Sequence, residues 1–139
     1  MKIRLFLLAL LFTGLVSCDK NDSVIITEKQ LLLGSWVSPV YQDNLITYTR
    51  SSELKDYAYG FSFGPDGKFI ERTISGWCAT PPVVYDNNNG NWSLSGIDKV
   101  IIVKVANWQG EAIYKWKIIK ITENELKLQL LSKNFNGQN

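Results

Sequence analysis

Histidine is absent from all 139 residues. That removes the commonest general base and the commonest metal ligand, and it excludes Ser-His-Asp and Cys-His nucleophiles outright. Cysteine is scarce. Cys18 and Cys78 are the whole complement, too few for a disulfide framework. No charge sign dominates: 15 Lys and Arg stand against 13 Asp and Glu. Lys2 and Arg4 account for the excess, because residues 1–17 hold no acid. From residue 18 onward the chain is formally neutral and has no electrostatic footprint for nucleic acid. No internal repeat or low-complexity tract is present. No patterned segment is long enough for a helix that could cover a sheet.

What is present begins with an export signal. Lys2 and Arg4 form a basic start, and residues 5–15 are almost unbroken apolar. That run suits the apolar region of a signal peptide and is too short to span a bilayer, which takes about 20 residues. It ends at Leu15-Val16-Ser17-Cys18, which resembles the bacterial lipobox. The resemblance implies cleavage before Cys18 and acylation of its sulfur and amino group, with palmitate-like chains. Each buried methylene contributes about 0.8 kcal/mol, so two or more chains hold a protein at a membrane. The alternative is an ordinary secreted protein cut elsewhere. With Cys18 acylated, Cys78 has no partner in the chain; burial as a small hydrophobe is the plain expectation.

The remainder makes one domain. Its expected divisions are the signal peptide at 1–17, a lipidated tether at 18–30, a β domain at 31–133 and a tail at 134–139. Thr27 and Gln30 have capping-box spacing before Leu31-Leu32-Leu33, so one helical turn is expected, ended by Gly34. Strands are expected at 34–41 and 45–50. Tyr57, Tyr59, Phe61 and Phe63 alternate with small residues as a third. Gly64-Pro65-Asp66-Gly67 reads as a turn, with its partner strand at 68–75. Asn87-Asn88-Asn89-Gly90 reads as another turn, or a long hairpin loop. Period-2 strands follow around Trp92 and Leu94, at 101–105, around Tyr114-Trp116-Ile118 and around Leu126-Leu128-Leu130. Ile118-Ile119 breaks its alternation and marks a bulge. About eight short consecutive strands predict an all-β antiparallel meander closing into a small barrel, with a β-sandwich as the alternative.

Several of these residues carry a family resemblance. Leu32-Leu33-Gly34-Ser35-Trp36 resembles the Gly-X-Trp opening of the first lipocalin strand. Phe63-Gly64-Pro65-Asp66-Gly67-Lys68-Phe69 is similar to the Asp-Gly-Lys-Phe hairpin of bacterial lipocalin-like lipoproteins. Gly90 to Leu94, and Ile118 through Leu128, resemble that group's later strands. The resemblance implies a lipocalin-like barrel. The family also carries a late arginine over the first-strand tryptophan and a Thr-Asp-Tyr motif. Here the last arginine is Arg72 and the motif is missing.

The functional expectation is a non-enzymatic module anchored in the cell envelope, at the outer membrane, without cofactor or metal. It binds a small apolar or amphipathic ligand; the alternative is a filled barrel that engages an envelope protein. Candidate ligand contacts are Tyr57, Tyr59, Phe61, Phe63, Trp77, Tyr114 and Trp116, each of which could equally be core. Trp36 is expected to plug the barrel base. The segment 76–85 holds Pro81 and Pro82, which suit a stiff loop at a barrel end. The acids Asp43, Asp66, Asp98, Glu123 and Glu125 fall at turns and read as solvated. The run 86–97 fails the calcium-loop pattern, with Asn91 and Ile97 where Gly and an acid are needed. Asn91-Trp92-Ser93 matches a glycosylation acceptor but lies on an apparent strand. Replacement Cys18→Ser should abolish incorporation of labelled palmitate and move the protein out of the membrane fraction. Label retained by the variant would contradict the anchor.

Overall fold

A computed structural model describes residues 27–76, 82–107 and 110–136. Cys18, Trp77 and Cys78 lie outside the described residues. One helical turn, α1 (Glu28–Leu32), precedes eight strands: β1 (Gly34–Gln42), β2 (Leu45–Ser51), β3 (Gly60–Phe63), β4 (Lys68–Ile74), β5 (Tyr85–Ser95), β6 (Val100–Asn107), β7 (Gly110–Ile121) and β8 (Glu125–Asn136). All pairs are antiparallel, and the strands close into a barrel in the order β1-β2-β8-β7-β6-β5-β4-β3. Closure leaves no sheet edge exposed. β8 continues past residue 133. Among the described residues no helix is long and apolar enough to cross a membrane.

The capping box forms as its spacing requires: Gln30 N donates to Thr27 Oγ1, and Thr27 N donates to Gln30 Oε1. α1 closes one end of the barrel. Leu32 is fully buried there, and Trp36 Nε1 donates to its carbonyl at 2.8 Å. The guanidinium of Arg50 lies 4.2 Å from the centre of the Trp36 ring. It donates to the carbonyls of Leu31, Leu33 and Glu123, tying α1 and the β7–β8 turn to the base. The cation over the first-strand tryptophan therefore comes from β2, directly across from Trp36 in register, and no late arginine is needed. Gly34 adopts φ +116, and a Cβ there would meet Arg50 Nη1 at 2.8 Å. The backbone conformation suits glycine, and the missing side chain leaves room for the arginine.

Two expectations are corrected. The strand proposed from Tyr57 begins only at Gly60. β1 pairs with both β2 and β3, so residues 52–59 must carry the chain across β1. They pass over its outer face, where Leu54 packs within reach of Gly60 and Val37, and Arg72 Nη1 donates to the Leu54 carbonyl. Tyr57 sits in this crossing at φ 54 and is 80% exposed.

The Asn87-Asn88-Asn89-Gly90 turn does not form. These residues lie inside β5, paired with Arg72, Glu71, Ile70 and Phe69 of β4. Asparagine disfavours strands, but β4 supplies a full-length partner, and Asn87 Oδ1 accepts from Arg72 Nε at 2.8 Å. The Gly64–Gly67 turn forms where expected, with Asp66 at φ 59 and Gly67 at φ 75 in the β3–β4 connection. β7 and β8 slip register between Ile118 and Lys120, which is the bulge at Ile118-Ile119.

Gly90 faces β6 so closely that a Cβ would lie 2.3 Å from the Lys104 carbonyl oxygen. Gly90→Ala should therefore destabilise the barrel by about 2 kcal/mol or more. Gly96→Ala, with nothing within 4 Å of its added carbon, should stay within about 0.5 kcal/mol of wild type. Urea unfolding followed by tryptophan fluorescence measures both; equal effects would contradict the β5–β6 geometry.

Candidate functional site

Inward positions alternate along each strand, and their side chains divide the barrel into two halves. Towards α1 the interior is solid. Phe61 stacks on Trp116 with ring centres 5.3 Å apart and meets Tyr48, Phe63 and Phe69 at 4.6, 5.2 and 5.7 Å. Phe63 also meets Trp92, whose Nε1 donates to the Gly64 carbonyl at 3.0 Å. Phe61 and Phe63, expected as ligand contacts, are core: they are 0% and 1% exposed.

The opposite end is hollow. A pocket of about 320 Å³ opens there, lined by Tyr41, Ile46, Tyr48, Tyr59, Glu71, Thr73, Tyr114, Trp116, Leu130, Lys133 and Phe135. Ligand sites run about 300–1,000 Å³, so this one suits a small molecule. The structure thus brings Tyr59, Tyr114 and Trp116 together at one site and leaves Tyr57 outside it. Larger hollows among the described residues measure about 480 and 510 Å³. One lies beside α1 and borders Thr27; the other is lined by Asp56, Tyr57, Arg72 and the chain from Pro82 to Tyr85. Neither contains a buried charged side chain.

The mouth pocket does. Glu71 on β4 is 3% exposed. Tyr59 Oη donates to its Oε1 at 2.9 Å and Tyr114 Oη donates to the same oxygen at 3.4 Å. Tyr114 is held by stacking on Trp116, 5.0 Å apart and 14° from parallel. Lys133 Nζ rests over the rings of Tyr114 and Phe135, at 5.2 and 4.9 Å. It acts on Glu71 through space; the ion pairs among the described residues do not join the two. Burial holds the Glu71 carboxyl above its ordinary value of 4.5, and the Tyr59 hydroxyl, Lys133 and Tyr114 pull it partway back. Burial, and then the nearby Glu71 charge, raise Tyr59 and Tyr114, so both hydroxyls keep their protons.

Glu71, Tyr48 and Lys133 were not singled out from sequence. Glu71 had a readable signal: it holds the inward place between Phe69 and Thr73 in a period-2 strand. Lys133 had none, because β8 slips against β7 between the partners of Lys115 and Trp116, and only that slip turns it inward. Among the described residues no three His, Cys, Asp or Glu side chains gather as a metal site. No protein-family model, curated protein or solved structure matches the chain.

A group with a raised native pKa binds its proton more tightly when folded. Its stabilising effect is present below the unfolded value and is lost as pH rises through the folded one. Glu71→Gln keeps an acceptor for both tyrosines and loses this dependence. The stability of Glu71→Gln relative to wild type should therefore climb as pH rises above about 4.5. Urea midpoints across that range test it, and a constant difference would contradict the buried carboxyl.

Proposed function

We propose that this protein is a lipocalin-like lipoprotein of the bacterial cell envelope, a non-enzymatic module that holds a small apolar or amphipathic ligand in the open end of its barrel. The observation that carries this reading is the mouth pocket: a hollow of about 320 Å³ with aromatic walls, an apolar rim and one buried acid at its deep end. Burying a carboxyl costs stability unless hydrogen bonds compensate it, and here two tyrosine hydroxyls do so while the carboxyl stays in the pocket wall. The lipobox-like Leu15-Val16-Ser17-Cys18 supports attachment to a membrane, the outer one by our reading, and the tether would hold the pocket near apolar molecules. The Gly34-Ser35-Trp36 opening, with a cation over the tryptophan, supports the lipocalin-like assignment.

The solid half of the barrel favours a second reading, a protein-interaction module that binds an envelope partner through its outer surface. Native mass spectrometry separates the two. After exposure to a cell-envelope extract, the full chain should carry a discrete added mass of roughly a few hundred daltons, the size such a pocket holds. Thr73→Trp, which fills the pocket from its wall, should lose that mass while remaining folded. A bare protein mass in wild type would contradict ligand binding and leave the interaction module.

A further inference from the structure

We propose that the mouth pocket takes a small amphipathic amine, its ammonium head on Glu71 and its apolar body along Tyr41, Leu130 and Phe135. This rests on the ligand-binding reading and names the ligand's chemistry.

Hydrogen-bond capacity gives the first reason. Tyr59 and Tyr114 each have one hydroxyl proton, and both protons go to Glu71 Oε1. What these hydroxyls still offer a ligand is lone pairs. Glu71 Oε2 receives no hydrogen bond from the described residues in this network, and an ionised carboxylate only accepts. Around Glu71 the deep end therefore presents acceptors, with the Tyr48 hydroxyl as a neighbouring donor, and a molecule that reaches the Glu71 carboxylate must bring donors.

Charge gives the second. Glu71 is the one carboxylate in the pocket wall, and it is almost completely withdrawn from water. Tyr114, stacked on Trp116, already carries the Lys133 ammonium over its ring, and aromatic faces attract cations. An ammonium group supplies donors and positive charge together, whereas a neutral alcohol supplies donors alone. An anion would meet Glu71 as a like charge.

Lys133 gives the third. Its ammonium already lies over Tyr114 and Phe135, so this wall accepts a cation. Lys133 is exposed, at the outer end of the pocket, and makes no contact ion pair with Glu71. Its flexible side chain can swing into solvent, while Glu71 is fixed in the β4 ladder. The titratable groups facing Glu71 are Tyr48 from β2, Tyr59 from the crossing segment just before β3, Tyr114 from β7 and Lys133 from β8. Only Lys133 competes with an incoming cation. The rim beyond is apolar, with Tyr41, Leu130 and Phe135 all partly open to solvent.

Three probes share one ring and differ in the head group: phenethylamine, 2-phenylethanol and phenylacetate. Each is titrated into the full chain in non-ionic detergent, with intrinsic fluorescence and calorimetry as readouts. Phenethylamine should bind most tightly. Glu71→Gln should weaken it about tenfold or more, the loss of one charge-assisted hydrogen bond, without equal loss for the alcohol. Lys133→Ala should strengthen the amine severalfold. Tighter binding of phenylacetate, weakened by Lys133→Ala, would overturn the amine and leave the pocket as a site for anions. Equal binding of all three, indifferent to Glu71→Gln, would also overturn it and leave a purely apolar site. Binding of none would overturn the amine and count against the ligand-binding reading as well.

Discussion

Phe61 lies at the centre of the barrel, in ring contact with Tyr48, Phe63, Phe69 and Trp116. Where its ring sits decides where the barrel is solid and where it is hollow. Each buried aromatic contributes about 1.5–3 kcal/mol by leaving water, and each offset or edge-on pair adds roughly 0.5–1.5 kcal/mol. This stack, with Trp36, Trp92 and the α1 turn below it, holds the closed end of the barrel. The open end is spared that filling, and its aromatic and aliphatic walls carry hydroxyls, one acid and one amine.

The closed end also fixes the chain path. Arg50 covers Trp36 and ties three backbone carbonyls, from Leu31, Leu33 and Glu123, to one guanidinium. A helix turn of five residues could not hold itself together in water. Here its carbonyls end on Arg50 and its Leu32 is buried in the core. Gly34 is the local condition for this arrangement, since its φ of +116 suits glycine and an added carbon would also press on the arginine. The first-strand glycine and tryptophan are thus one device with Arg50, although Arg50 stands on the neighbouring strand.

Much of this was legible in the residues. Alternating apolar positions gave eight strands and an all-β barrel, because side-chain period 2 survives in any half-buried strand. The capping box formed because its partners are three residues apart and need nothing else. The misreadings came where distant partners decide. Tyr57 continues the local aromatic alternation, yet the crossing of β1 takes it out of the strand. Asn87 to Gly90 have turn composition, yet β4 holds them in a ladder. Of the proposed contacts, Phe61 and Phe63 share the inward face with Tyr59 but lie too deep to reach the pocket. Depth along the barrel depends on register between strands, which no single segment states. Glu71 was readable by position and was hidden by its composition, one acid among several.

The mouth pocket joins these threads, because a buried acid is stable only where packing and hydrogen bonds hold it. The most direct test is a carbon-13 NMR titration of the Glu71 side-chain carboxyl, assigned by its loss in Glu71→Gln. The account predicts a midpoint above the ordinary glutamate value of 4.5. A midpoint at or below that value would place Glu71 in water or in a contact ion pair, and would contradict the buried, acceptor-lined pocket.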